Sequence, residues 1–273
     1  MNKKIIWIAS YPKCGNTYLR AFLSHYLYNE TNNFSFDNLK KIKKFETENV
    51  FKSVLNLENF DKNFLYYKHC IEVQKKLIKL LPQNKLIFKT HHFFGKYNGY
   101  NFTSENNTLF FIYLTRDPRE VLVSYARHSG ISIDEMLNIL VDEQAINKKQ
   151  WETKVNWKIN YKSWKSFKSV PSYFIRYEDL VSDPKSIFSS IVFLLSRYTE
   201  IKYDEEKIDK IIEITKFNNL KKFEQKYGFD EAKSASFFNT GKTDSWKKIL
   251  NAKQIIAVEK AFGQEMKELK YLS

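Results

Sequence analysis

The sequence predicts an α/β fold: one domain over residues 1–273, with a central parallel β-sheet flanked by helices. Three observations carry the prediction. Short runs rich in apolar residues at 5–9, 85–88, 109–114 and 172–177 have strand length, and the first is apolar throughout, as a buried parallel strand requires. Segments of helical spacing separate them, and parallel strands need such crossovers. Each run is also followed directly by a polar cluster: Ser10–Thr17, Lys89–His92, Thr115–Arg119 and Tyr177–Asp179. In open α/β sheets ligands bind beyond the carboxyl ends of the strands, so these four clusters are expected to share one site.

The elements follow in order. Ile5-Ile6-Trp7-Ile8 is the first strand, and Leu19, Phe22, Leu23, Tyr26 and Leu27 repeat at helical spacing, giving a helix from about Thr17 to Tyr28. Residues 30–64 are polar, rich in Asn and Phe, and show no clean period. Ile71, Leu77, Ile78 and Leu81 share a helical face over 67–81, and Pro82 stops that helix. Lys85–Phe88 is the second strand and Leu109–Leu114 the third. Asp117 is placed as an N-cap with Pro118 at the first helical position; the helix runs through Val121, Leu122 and Tyr125 to about His128, and Gly130 closes it. Ser172–Tyr177 is the fourth strand, and Asp183-Pro184 opens a helix through Ile187, Ile191 and Leu194. The stretch 217–245, polar and weakly periodic, reads as the most mobile part.

Charge narrows the function classes. The formal net charge is +14, yet only six of the 45 basic residues are arginines (20, 116, 119, 127, 176 and 197). A lysine excess of this kind reflects either a compositional habit or an anionic ligand. Arginine-rich clusters and nucleic-acid reading motifs are absent, so no nucleic-acid partner is expected. Cys14 and Cys70 have neither metal-ligand spacing nor the numbers for a disulfide framework. No apolar stretch reaches 18 residues and Met1–Lys4 leads straight into a strand, so the expectation is a reduced, cytoplasmic protein without a transmembrane segment.

The first cluster reads SYPKCGNT. A helix start leaves N–H groups unpaired at a positive dipole end, which favours an anion. Gly15 allows close backbone approach, Asn16 and Thr17 add donors, and Lys13 supplies a point charge. The nucleotide P-loop instead has Gly-Lys-Ser/Thr, whose hydroxyl reaches magnesium; Cys14 follows the lysine here, so no metal is implied. In the third cluster Arg116 and Ser124 either meet one phosphate together, or Arg116 simply pairs with Asp117 or Glu120.

These stretches resemble the sulfotransferases that use 3′-phosphoadenosine 5′-phosphosulfate (PAPS). Ser10–Tyr18 is similar to their 5′-phosphosulfate loop and Leu114–His128 to their 3′-phosphate site. Lys89-Thr90-His91, Arg176–Leu180, the stretch FFNTGKTDSW (237–246) and Gly263–Met266 agree in order. The resemblance spans nearly the whole chain, weakest over 30–80 and 130–170, and implies a P-loop NTPase-like architecture. By position it implies that Lys13 contacts the phosphosulfate within a cradle of Cys14, Gly15, Asn16, Thr17 and Tyr18. Arg116 and Ser124 then grip the 3′-phosphate; Tyr177, Thr215 and Phe217 lie about the adenine; and Asn239, Thr240, Gly241 and Lys242 form a closing loop. His91 matches the catalytic base and Lys89 a second lysine near the transferring sulfuryl group.

The chain departs from the family pattern where Asn239-Thr240-Gly241 replaces the common Arg-Lys-Gly, with Lys242 available to substitute. Tyr18 and Cys14 stand where Trp and Ser are frequent, and Cys14 reads as a small buried residue rather than a nucleophile. His92 is the rival base, because adjacent strand residues point to opposite faces; the family match favours His91, whose unshifted imidazole titrates near ~6.5. His25, His69 and His128 read as structural or surface residues. Phe34, Phe36, Phe45, Phe51, Phe60 and Phe64 read as core under a long connection, against the alternative of an acceptor pocket. The implied reaction moves a sulfuryl group from PAPS to a hydroxyl, less often an amine, of a small-molecule or carbohydrate acceptor, leaving adenosine 3′,5′-bisphosphate (PAP). A P-loop-type small-molecule kinase and a non-catalytic polyanion-binding protein on the same scaffold are the competing readings. Neither the acceptor nor the oligomeric state is legible.

Overall fold

The computed structural model describes residues 3–29, 33–55, 64–143, 147–149, 151–232, 237–238, 241 and 243–272. Four strands, β1 (Ile5–Ser10), β2 (Ile87–Thr90), β3 (Thr108–Thr115) and β4 (Ser172–Arg176), pair in the order β2-β1-β3-β4, all parallel. The central pair β1 and β3 is buried almost end to end, which explains runs that are apolar without alternation. Trp7 pairs in register with Phe88 on one side and Phe111 on the other, and its indole N–H donates to Thr108 Oγ1 at 3.2 Å.

Helices cover both faces: α1 (Asn16–Tyr28), α2 (Cys70–Leu80), α3 (Pro118–Ser129), α4 (Ile133–Val141), α5 (Trp157–Ser166), α6 (Tyr177–Ser182), α7 (Pro184–Tyr198), α8 (Glu205–Ile214), α9 (Phe217–Tyr227) and α10 (Ala252–Glu268). The period of two along β1 divides the core between them. Ile6 and Ile8 pack with Leu19 and Phe22 of α1, Leu122 of α3 and Ile191 of α7. Ile5, Trp7 and Ala9 pack with Val73 and Leu77 of α2 and Trp164 of α5. Each buried Ile, Leu, Val or Phe among them contributes roughly 1.5–3 kcal/mol by leaving water.

Local chemistry sets the helix ends. Asp117 accepts from the Arg119 N–H with Pro118 in the first turn, and Gly130 ends α3 at φ 68°. Asp183 likewise caps α7 through the Ser186 N–H.

Three boundaries differ from the sequence reading. The second strand begins two residues later, because Gln83–Lys85 is spent in a 3₁₀ turn and β2 takes its register from Ile6–Ala9. The fourth strand stops at Arg176, and Tyr177 opens α6. Within 217–245, α9 is a regular helix: Leu220 is fully buried, and Phe223 packs on Phe34. Helices α4, α5, α8 and α10 were not legible. Of the aromatics in 30–64, Phe45 and Phe51 belong to the α2-side core and Phe34 and Phe36 to a separate cluster with α9, while Phe60 lies outside the described residues. Among the described residues, no helix is long and apolar enough to cross a membrane.

Candidate active site

The turn after β1 is the foundation of the site. Lys13 and Gly15 both adopt left-handed backbone conformations, with φ 67° and 94°. A Cβ on Gly15 would lie 2.3 Å from Tyr177 Cδ2, so glycine is required on two counts. Gly15 is the N-cap of α1 and no side chain caps it. Gly15, Asn16, Thr17 and Tyr18 line a cavity of about 450 Å³, so the helix presents its partly positive N-terminal end to that space. Asn16 Nδ2 donates to Ile8 O and Ser10 Oγ, each at 3.2 Å, tying the helix start back to β1. Cys14 is fully buried and does not line the cavity; burial pushes its thiol far up, which makes it inert.

Strand β2 delivers Lys89 and His91 to the same cavity. His92 turns the other way, buried and stacked on Phe102 with ring centroids 4.4 Å apart. His91 Nδ1 lies 2.9 Å from Ser10 O; a carbonyl only accepts, so Nδ1 carries the proton and Nε2 keeps a lone pair. Burial, then the charges of Lys89 and Lys44, push the His91 imidazole down to about 3. The ring is therefore neutral at any ordinary pH in the free protein, rather than half-titrated near ~6.5 as an unshifted imidazole is. Lys89 is lowered to about 8 by burial and by Arg20.

Arg116 stands just past the end of β3. Its Nη2 pairs with Glu120 at 3.3 Å, and it lines the cavity together with Ser124. Its Nη1 donates to Lys13 O at 3.3 Å, and its guanidinium sits 4.4 Å from the Tyr177 ring centroid. Asp117 is not its partner, being bound to Arg119 at 2.7 Å. Glu120 also accepts from Ser245 Oγ and from the Trp246 N–H, both at 2.9 Å, which fastens the C-terminal loop to α3. Lys13 Nζ stands 4.1 Å from the Phe237 ring centroid. Burial, then Arg127 and Arg116, push Lys13 down to about 7.

Gly241 (φ 63°) presses against Phe217, whose ring a Cβ would meet at 2.9 Å. Tyr177 Oη donates to Gly241 O at 3.4 Å, and all three residues line the cavity. Thr215 is buried instead, its hydroxyl donating to Ile211 O at 2.6 Å, and it does not reach the space. Asn239, Thr240 and Lys242 lie outside the described residues.

Residues 3–270 match the family model for the sulfotransferase domain. The chain belongs to the sulfotransferase domain family. It is 27% identical to cytosolic sulfotransferase 8 of Arabidopsis thaliana over 280 residues, covering 96% of this chain and 78% of the relative. The amine sulfotransferase of Oryctolagus cuniculus is 25% identical over 178 residues, covering 60% of this chain and 56% of the relative. Among solved structures, retinol dehydratase in complex with androsterone and PAP superposes with a TM-score of 0.63 at 18% identity, covering 96% and 80% of the two chains. Mouse sulfotransferase SULT7A1 complexed with PAP gives 0.63 at 17%, covering 97% and 84%. At such identities the superpositions establish the sulfotransferase fold.

The sulfotransferase-family cavity has further walls that sequence reasoning missed. Arg127 and His128 line it, and their spacing from Ser124 along α3 is the signal that marks one helical face. Lys44, Lys154 and Glu231 also line it, from stretches without a recognisable period. Among the described residues no group of three or more His, Cys, Asp or Glu is placed to hold a metal.

Proposed function

We propose that this chain, acting as one domain, transfers a sulfuryl group from PAPS to the hydroxyl, less often the amine, of a small-molecule or carbohydrate acceptor. The observation that carries the reading is convergence: Lys13, His91 and Arg116, from three strand ends, and Ser124 of α3 line one cavity. The cavity's chemistry fits the donor. A helix N-terminus, two lysines held below their ordinary range by burial and neighbouring cations, and two arginines surround a space walled by Tyr177 and Phe217. Such crowded positive charge is relieved by a polyanion with an aromatic base.

When bound, PAPS supplies a sulfuryl group attached to a phosphate leaving group. The chain's own residues then divide the work. The Lys13 turn and the α1 N-terminus neutralise charge at the 5′ end, aimed where negative charge grows. Arg116 and Ser124 hold the 3′-phosphate, and Tyr177 and Phe217 flank the base. His91 Nε2 takes the acceptor proton, while its Nδ1–H bond to Ser10 O fixes the ring. Lys89 adds positive charge beside it. Positioning and charge stabilisation supply most of the catalysis, as in phosphoryl transfer. Relatives named as cytosolic and amine sulfotransferases, and a neighbour holding androsterone, support a cytoplasmic setting and a small acceptor.

The test is a thermal-shift titration with PAP, followed by an acceptor screen with labelled PAPS. A hundredfold excess over the dissociation constant stabilises the chain by roughly 2.7 kcal/mol. Stabilisation by magnesium-ATP and none by PAP would replace this reading with the kinase one. PAP binding with no transfer, even in a single turnover, would leave the polyanion-binding one.

A further inference from the structure

Glu231 lines the cavity beside its lysines, and the lining also holds the acids Glu120 and Asp230. Glu231 follows α9 in the chain and sends its carboxylate back to α1 and β2. Its Oε1 accepts from Arg20 Nη1 at 2.8 Å and from Lys89 Nζ at 3.1 Å, and its Oε2 accepts from Thr17 Oγ1 at 3.2 Å. Arg20 is buried and rigidly placed, with Nε on Ile42 O and Nη2 on Leu39 O, both at 3.2 Å. Burial opposes ionisation of Glu231, but Lys89 and Arg20 outweigh it and hold the carboxyl well below the usual range, so the group is a permanent anion.

Thr17 and Lys89 are among the groups assigned above to the 5′ end of the donor. A carboxylate gripped by a hydroxyl, an ammonium and a guanidinium is bound as a ligand oxyanion is bound. With its side chain only 30% exposed, Glu231 fills that place rather than fringing it. We propose that Glu231 is an internal competitor for the donor's anionic end. Its carboxylate keeps simple inorganic anions off Thr17, Arg20 and Lys89, and yields to a ligand held also at Arg116 and Phe217. Donor entry is thereby coupled to displacement of the segment that follows α9. The proposal rests on the donor-binding reading for the identity of the larger ligand, but not for the competition itself.

Calorimetric titration of wild type and Glu231→Gln with PAP, and separately with inorganic pyrophosphate, decides it. The variant is expected to bind both at least about tenfold more tightly, because neither must evict a charged group. Damage to the fold weakens binding, so a gain has no purely structural explanation. Unchanged or weaker binding of both ligands overturns the proposal. Tightened pyrophosphate binding with no PAP binding in either protein upholds the competition and overturns the donor reading instead. Should Glu231→Gln fail to fold, amide exchange of residues 229–232 in the wild-type chain replaces it. Exchange accelerated by pyrophosphate supports displacement, and unchanged or slowed exchange overturns it.

Discussion

Donor affinity should fall as pH rises above neutrality, against the usual expectation for a ligand that gains negative charge with pH. The perturbation is pH alone. In the free protein Lys13 titrates near 7 because burial, Arg127 and Arg116 penalise its charge, and Lys89 titrates near 8. Phosphates placed beside them restore both amines to the charged form, so above pH 7 binding must take up protons. If Lys13 in the complex stays charged past pH 9, its contribution alone raises the dissociation constant of PAP about 50-fold between pH 7 and pH 9. Over that range the ligand's phosphates are already ionised, since their second pKa lies near ~6. Calorimetry at pH 8.5 in two buffers of different ionisation enthalpy should record uptake of about one proton or more. Lys13→Arg, whose charge does not titrate, should keep only the shallower loss that begins near 8 from Lys89. The same shift governs the free protein's stability with opposite sense. Between pH 7 and 10.5 the unfolded chain holds a proton that folded Lys13 lacks, so the free fold gains stability as pH rises through that window. An affinity flat from pH 7 to 9, with no proton uptake, refutes the reasoning.

Other outcomes follow from the same geometry. His91→Ala should lose roughly 10²–10⁴-fold in turnover of labelled PAPS while its PAP dissociation constant stays put; retained turnover removes His91 from the mechanism. Gly15→Ala should drive its Cβ into Tyr177, 2.3 Å away, at a cost of about 1–3 kcal/mol in a thermal melt and with clear loss of PAP binding, since Tyr177 also backs Arg116. Arg119 pairs with Asp117 and Glu259, each at 2.7 Å, and lies 3.8 Å from the Trp246 ring centroid. Arg119→Met strands the buried Asp117 carboxylate and should cost about 3–5 kcal/mol by urea unfolding; a change under about 1 kcal/mol contradicts that account.

What could be read from the residues alone was whatever a few neighbours decide. Apolar runs marked the strands, most fully β1 and β3, because a strand covered on both faces has no polar side to show. Asp117-Pro118 and Gly130 bounded α3, since caps act within one turn. Lys13, Gly15, Lys89, His91 and Arg116 could be picked out because each lies at or just after a strand end, and Ser124, inside α3, because the family resemblance pairs it with Arg116. Arg127 and His128 were equally legible by spacing from Ser124, and the reading of His128 as a structural or surface residue is corrected by its place in the cavity wall. By contrast α9 was obscured by its lysines, as its apolar stripe has meaning only beside Phe34 and Phe238. Lys44, Lys154 and Glu231 carried no local mark, because nothing near them in the chain says where their side chains end.

The sequence by itself determined the strand–helix alternation, the close backbone approach that Gly15 allows and the polar groups stationed at the strand ends, all products of rules that reach only a few residues. Only the tertiary structure decided that His91 rather than His92 faces the cavity, and that its imidazole titrates near 3 instead of near ~6.5. It also decided that Glu231 meets Thr17, 214 residues away. Burial and long-range charge set those properties, and both are made by packing segments that never touch in the unfolded chain.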